Sequence, residues 1–84
     1  MNYEPVKEIE RDGGKQWLYR FENGYGASVI RNVYSYGTEL AVIVWDGEEW
    51  ELTYETPVTN DVLGYLNPDT LLQALIKIAG LPKR

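Results

Sequence analysis

Leu40, Ala41, Val42, Ile43 and Val44 follow one another without a polar break. An apolar run of this length predicts a strand covered on both faces. Asp46 and Gly47 then offer a turn, since glycine tolerates the positive φ that a short hairpin loop requires. Beyond the turn the pattern alternates. Trp50, Leu52 and Tyr54 fall on one side, and Glu49, Glu51, Thr53 and Glu55 on the other. This predicts a half-buried partner strand, its dry side, with Trp50 and Tyr54, set against the rest of the core and its carboxylates turned to water.

The flanking segments predict further strands. Val6 to Arg11 reads as a first strand or a short helix, and Asp12, Gly13 and Gly14 as a turn. Lys15 to Phe21 alternates, with Trp17, Tyr19 and Phe21 opposite Gln16, Leu18 and Arg20. Asn23-Gly24 is a strong hairpin dipeptide, followed by a third strand over Tyr25 to Arg31. Gly26, Ala27 and Ser28 are small for a strand interior. Either the backbone bulges there or a bulky neighbour, one of the three tryptophans, lies across it.

Asn32 to Thr38 reads as a longer loop, and Val62 to Leu66 as one irregular helical turn after Pro57 has ended strand pairing. The clearest helix spans Pro68 to Ala79, capped by Asn67, with Asp69 in its first turn and Gly80 and Pro82 to stop it. Leu71, Leu72, Leu75, Ile76, Ile78 and Ala79 form the broad face expected to lie on the sheet, so that the greasy side of residues 40 to 54 meets this helix. The expected fold is α+β: an antiparallel meander of four or five strands with a C-terminal helix on one face, in a single domain spanning residues 1–84.

Composition narrows the chemistry. The chain has no histidine and no cysteine, which removes Ser-His and Cys-His nucleophile pairs, disulfides and the usual zinc sites. No apolar run approaches the ~20 residues of a membrane span, and the first residues have no signal-peptide core, so a soluble, unexported protein without membrane contact is expected. Charge is segregated. Residues 32 to 76 carry eight acidic side chains and no basic one.

The acidic series Glu39, Asp46, Glu48, Glu49, Glu51 and Glu55 fits a face for a cationic partner. Strand alternation sets successive carboxylates on one side about 7 Å apart, close to the spacing of nucleic-acid phosphates. The plainer reading is a solvated face that guards a sheet edge against aggregation. Eleven aromatic residues exceed what so small a core hides with every polar tip satisfied, and Tyr34 and Tyr36, in a glycine-ended loop, are the best candidates for exposed contact. Asp46 to Glu49 lacks the offsets of a calcium loop and reads as a turn. Ser28 and Ser35 have no activating base, and the chain is too small to wall a sugar cleft around paired carboxylates. No catalytic residue, metal or cofactor is expected. Direct nucleic-acid binding is not expected either, because only Arg20 and Arg31 lie near the free aromatics.

With NGYGASV at 23–29, YSYG at 34–37, YETPVTNDVLGYL at 54–66 and a leucine-rich helix ending in GLP, residues 18–82 resemble a family of small proteins encoded by tailed bacteriophages and prophages. The passage between YSYG and the central strand, Thr38 and Glu39, is shorter here than in that family's pattern. The resemblance implies a phage origin and expression in a bacterial cytoplasm, and brings no catalytic residues. The expectation is a protein-binding module that inhibits or redirects a basic bacterial host protein, a defence protein among the candidates. Its contacts would be Tyr34, Tyr36, Glu39, Asp46, Glu48, Glu49, Glu51 and Glu55. The alternatives are a structural, self-assembling homodimer joined through an open sheet edge or leftover helix face, and a small-molecule sponge lined by Trp and Tyr.

Overall fold

Three short turns and one longer loop fold the chain back on itself four times before the helix. The computed structural model describes residues 3–35, 37–59 and 61–84. Strands β1 (Lys7–Arg11), β2 (Gly14–Arg20), β3 (Tyr25–Arg31), β4 (Glu39–Asp46) and β5 (Glu49–Leu52) form one curled sheet in sequence order, every neighbour antiparallel. Helix α1 (Pro68–Ala79) packs on β3. The α+β meander expected from the pattern is the fold observed.

The turns differ from expectation in detail. Asp12 and Gly13 both take positive φ, the type I′ signature that matches strand twist. Between β2 and β3 the loop has three residues rather than two: Phe21 N donates to Tyr25 O at 2.9 Å, and Gly24 N to Phe21 O at 3.2 Å. Asp46 pairs with Glu49, so the β4–β5 turn is centred on Gly47 and Glu48, one residue later than the sequence predicts. The φ of +61° at Gly47 is what shifts it, because a short hairpin needs that sign at its first central position.

The register decides which face of each strand meets the helix. Tyr19, Ala27, Val29, Leu40 and Val42 pack with Ala74, Leu75 and Ile78 of α1. Ala41 and Ile43, equally buried, point the other way. Because Ile43 pairs with Leu52 and Trp45 with Trp50, the apolar side of β5 lies on the face away from the helix. This reverses the expected arrangement. Glu49 and Glu51 project from the helix-bearing side, outboard of α1, while Trp50 and Leu52 flank a groove on the other side, and Tyr54 lies past the end of the strand, exposed rather than in the core. The unbroken run in β4 gives no parity, so nothing in it said which alternate set would face α1.

Residues 62–66 form no helical turn. Leu63 exchanges backbone hydrogen bonds with Leu40 at 2.8 and 2.9 Å, and Leu66 N donates to Thr38 O at 2.9 Å. β5 is too short to reach that part of β4, and these groups satisfy backbone it would otherwise leave open. On α1, Ala74 is buried and Ile76 exposed. The stripe that meets the sheet runs through Leu71, Ala74, Leu75 and Ile78, and Ile76 stands roughly 100° off Leu75 around the helix.

Two side chains tie the elements together. Trp45 lies across Gly26, and its indole Nε1 donates to Tyr19 O at 2.9 Å, so one residue of β4 spans β3 to reach β2. The Arg20 guanidinium lies over the same ring, 5.0 Å from its centroid. Asn23 holds the helix end: its Nδ2 lies 2.9, 3.3 and 3.0 Å from the carbonyl oxygens of Ile78, Ala79 and Leu81, and its Oδ1 accepts from Tyr25 N at 3.0 Å. Gly80 itself is right-handed, so no left-handed C-cap is used. At the other end Asn67 and Thr70 form a reciprocal capping box.

Three outcomes follow from these contacts. A Cβ at Gly26 would sit 2.0 Å from Tyr19 O and 2.5 Å from Trp45 Nε1. Gly26→Ala is therefore expected to cost about 3 kcal/mol, lowering Tm by more than about 10 °C in a thermal melt. A melt within a few degrees of wild type would show that Trp45 does not hold β2 and β4 together. Asn23→Ala should destabilise by roughly 1–3 kcal/mol in urea titrations. Asn23→Asp should do at least as much at neutral pH, since it sets a carboxylate against the carbonyl end of α1. Glu8 accepts from Trp17 Nε1 at 2.7 Å and pairs with Lys15 at 3.2 Å; these contacts, the indole first, hold its carboxyl below the usual range. Whatever stability this exposed group contributes is present above its unfolded pKa and lost as pH falls through the folded one. In an NMR titration, Trp17→Phe should raise the Glu8 pKa; an unchanged value would assign the effect to Lys15 alone.

Candidate functional site

The predicted contact residues fall in two places. Asp46, Glu48 and Glu49 surround the β4–β5 turn, with Glu51 and Glu55 farther along the same edge; all five are exposed. Glu39 stands at the opposite end of β4, about 23 Å away by strand rise. Tyr34, 79% exposed, lies beside it at the rim of the groove. Tyr36 lies outside the described residues. The structure therefore gathers five of the carboxylates at one edge and sets Glu39 and Tyr34 apart.

At the acidic edge no carboxylate is ion-paired among the described residues. Among the described residues the ion pairs are Arg11–Asp12 and Lys15–Glu8, both on the far side of the sheet order. Arg84 shares a depression with Asp46, Glu49 and Glu51 but closes to ion-pair distance on none of them. The Trp50 and Leu52 backbone faces outward along an edge on which no further strand pairs among the described residues. The edge thus offers negative charge on one face, apolar side chains on the other and free main-chain groups between.

The second place was not foreseen. On the face away from α1, a cavity of about 400 Å³ has Gln16, Ser28, Ile30 and Ala41 at its base and Trp50 and Leu52 along one side. Cross-strand pairing makes this base. Gln16, Ile30 and Glu39 form one row across three strands, and Leu18, Ser28 and Ala41 the next. Gln16 and Ser28 are only 5% and 6% exposed, and Gln16 Nε2 donates to Ser28 Oγ at 2.9 Å. Arg11 Nη1 donates to Gln16 Oε1 at 3.2 Å from the rim, where its Nε also stands 3.6 Å from Asp12. The sequence offered either a bulge or one of three tryptophans at the small residues 26–28, and of these Trp45 is the one that covers Gly26. Sequence reasoning missed that Ser28 meets Ala41 across the register, because that adjacency exists only once β3 and β4 are paired.

Ser35 does not act at either place. Its Oγ accepts from Asn32 N and lies 2.6 Å from Gly37 O, bracing the loop that carries Tyr34. Among the described residues no group of three or more acidic side chains is placed to hold a metal ion, and no helix is long and apolar enough to cross a membrane. Compared with known family models, with curated proteins and with solved structures, the chain matches none.

Proposed function

We propose that the chain is a phage-encoded protein-binding module which acts in the cytoplasm of a bacterial host. It inhibits or redirects a basic host protein, a defence protein among the candidates, by covering that protein's cationic surface. The supporting observation is the exposed edge formed by Asp46, Glu48, Glu49, Glu51 and Glu55, whose charges the protein's own lysines and arginines leave unpaired among the described residues. Unpaired carboxylates on one edge raise the encounter rate with a cationic surface and repel acidic ones. A partner that spans the length of β4 would also meet Tyr34, whose ring offers rigid contact area.

Binding rather than catalysis is the proposal because the chain has no histidine or cysteine, and because its serines are engaged with Gln16 and with loop backbone. Pairing of β5 with a second copy of itself would bring Glu49 and Glu51 against like charges, which favours a different, basic partner over a homodimer.

Affinity capture from bacterial lysate with the wild-type chain and with Glu49→Lys/Glu51→Lys tests this. The wild type should retain a basic protein at low salt and release it as salt rises. The double variant should bind that protein at least about tenfold more weakly, with Tm within a few degrees of wild type, since both side chains are exposed and make no intramolecular bond among the described residues. Equal retention by both chains would remove the acidic edge from the reading. Unfolding of the double variant would make these carboxylates structural.

A further inference from the structure

We propose that the groove opposite α1 binds a neutral, flat heteroaromatic molecule of the nucleobase class, seated over Ser28 and Ala41. This goes beyond the protein-binding reading and uses a different face. Three observations lead to it.

First, the face away from the helix carries a trough of small residues, Gly26, Ser28 and Ala41, in adjacent rows of β3 and β4. Over Gly26 the trough is filled by the Trp45 indole, which lies on the strand and hydrogen-bonds beyond it. Beside Ser28 and Ala41, which are themselves buried, the Trp45 indole gives way to the cavity of about 400 Å³. The space beside one flat indole has the floor that suits another flat ring. Its side is apolar, formed by Trp50 and by Leu52, which is 50% exposed. A volume of this size is in the range of small-ligand clefts.

Second, the base is polar in a directed way. Ser28 Oγ accepts from Gln16, so its own hydrogen is the one left to donate, and it has no acceptor among the described residues. Gln16 keeps a second amide hydrogen, while Arg11 occupies its oxygen. The base therefore offers donors and calls for a ring carbonyl or ring nitrogen. At the rim Glu39 lines the same groove, and its carboxylate makes no hydrogen bond or ion pair among the described residues; a carboxylate oxygen there calls for a ring N–H. Acceptor and donor on one planar ring is the pattern of a lactam-type nucleobase.

Third, the charges lining the groove are Arg11, Asp12 and Glu39, one positive and two negative, with Arg11 already paired to Asp12. A phosphate would enter against this balance. The ligand is a base or nucleoside, not a nucleotide.

The test titrates the wild-type chain with hypoxanthine, inosine and inosine 5′-monophosphate, following amide and indole shifts by NMR. Hypoxanthine and inosine should give saturable shifts centred on Gln16, Ser28, Ile30, Ala41 and Trp50, and the monophosphate should bind more weakly than inosine. Ser28→Ala should weaken hypoxanthine binding about tenfold, the effect of one lost hydrogen bond to a buried base. Ala41→Val, which fills the trough without touching its polar groups, should abolish binding while the fold is retained, and carries the test if Ser28→Ala does not fold. Absence of saturable shifts with both hypoxanthine and inosine overturns the proposal. So does tighter binding of the monophosphate, or unchanged binding by a folded Ala41→Val. None of these outcomes bears on the acidic edge, since Glu49→Lys/Glu51→Lys should bind hypoxanthine as the wild type does.

Discussion

The hydrogen bond from Trp45 Nε1 to Tyr19 O settles a problem that so small a chain cannot avoid. A five-stranded sheet has two faces, and among the described residues one helix is there to cover them. On the uncovered face Leu18 and Ile43 are nonetheless buried, at 2% and 0% exposure. The sheet reaches this by curling, and the indole holds the curl by crossing from β4 over β3 to β2. The crossing requires Gly26, because any side chain there would meet both the indole and the Tyr19 carbonyl. One glycine and one tryptophan thus replace a second covering layer, and the part of the trough they leave unfilled becomes the groove.

The helix-bearing face is closed by other means. Ala27, Val29, Leu40 and Val42 present small and branched side chains to Ala74, Leu75 and Ile78 of α1, and the helix is held against them from its ends. Asn67 and Thr70 satisfy its first turn locally. At its last turn the carbonyls of Ile78 and Ala79 are also reached from far along the chain, by Asn23 in the β2–β3 loop. Free carbonyls at a helix end need partners, and a partner drawn from a hairpin loop fixes where the helix stops relative to the sheet. Arg84 N then donates to Asn23 O at 3.1 Å, which lays the following residues beside the same loop. The side chain of Arg84 lines the same depressions as Asp46, Glu49, Glu51 and Glu55 from there, without pairing with any of them.

What could be read from the chain follows from where its information is local. Alternation in β2, the turn residues at Asp12-Gly13 and Asn23-Gly24, and the capped helix at Asn67 each depend on near neighbours, and each element is present where the pattern put it. The small residues at 26–28 implied either a bulge or a bulky neighbour across the strand, and the neighbour, Trp45, is what lies over Gly26. Parity was not local. In β4 Leu40 and Val42 face the helix while Ala41 and Ile43 face the groove, and all four are buried, so which side of β5 lies on the helix-bearing face is set only by the Asp46–Glu49 pairing. The broad apolar face of α1 misled in the same way, because Ile76 is hydrophobic yet turned outward. The acidic block was legible as charge, but its division into an edge cluster and a separate Glu39 depends on the length of β4. The groove was the least legible feature. It arises from Gln16, Ser28 and Ala41 on three strands, whose closeness is a property of register and appears in no short window of sequence.

β5 is where the two candidate surfaces part. Its four residues alternate Glu49, Trp50, Glu51 and Leu52, and the pairing with β4 sends the carboxylates to the helix-bearing side and the apolar pair to the groove. A substitution at an odd-numbered position changes the charge seen by a partner outside the sheet. One at an even-numbered position changes the wall of a cavity inside its curl. An edge strand whose two faces are so unlike resists pairing with its own copies, since the acidic side repels itself in any register that buries the apolar side. The same alternation that keeps the sheet from extending therefore lets one four-residue strand serve two surfaces without coupling them, provided the register set at Gly47–Glu48 does not slip by one residue, which would exchange the two faces.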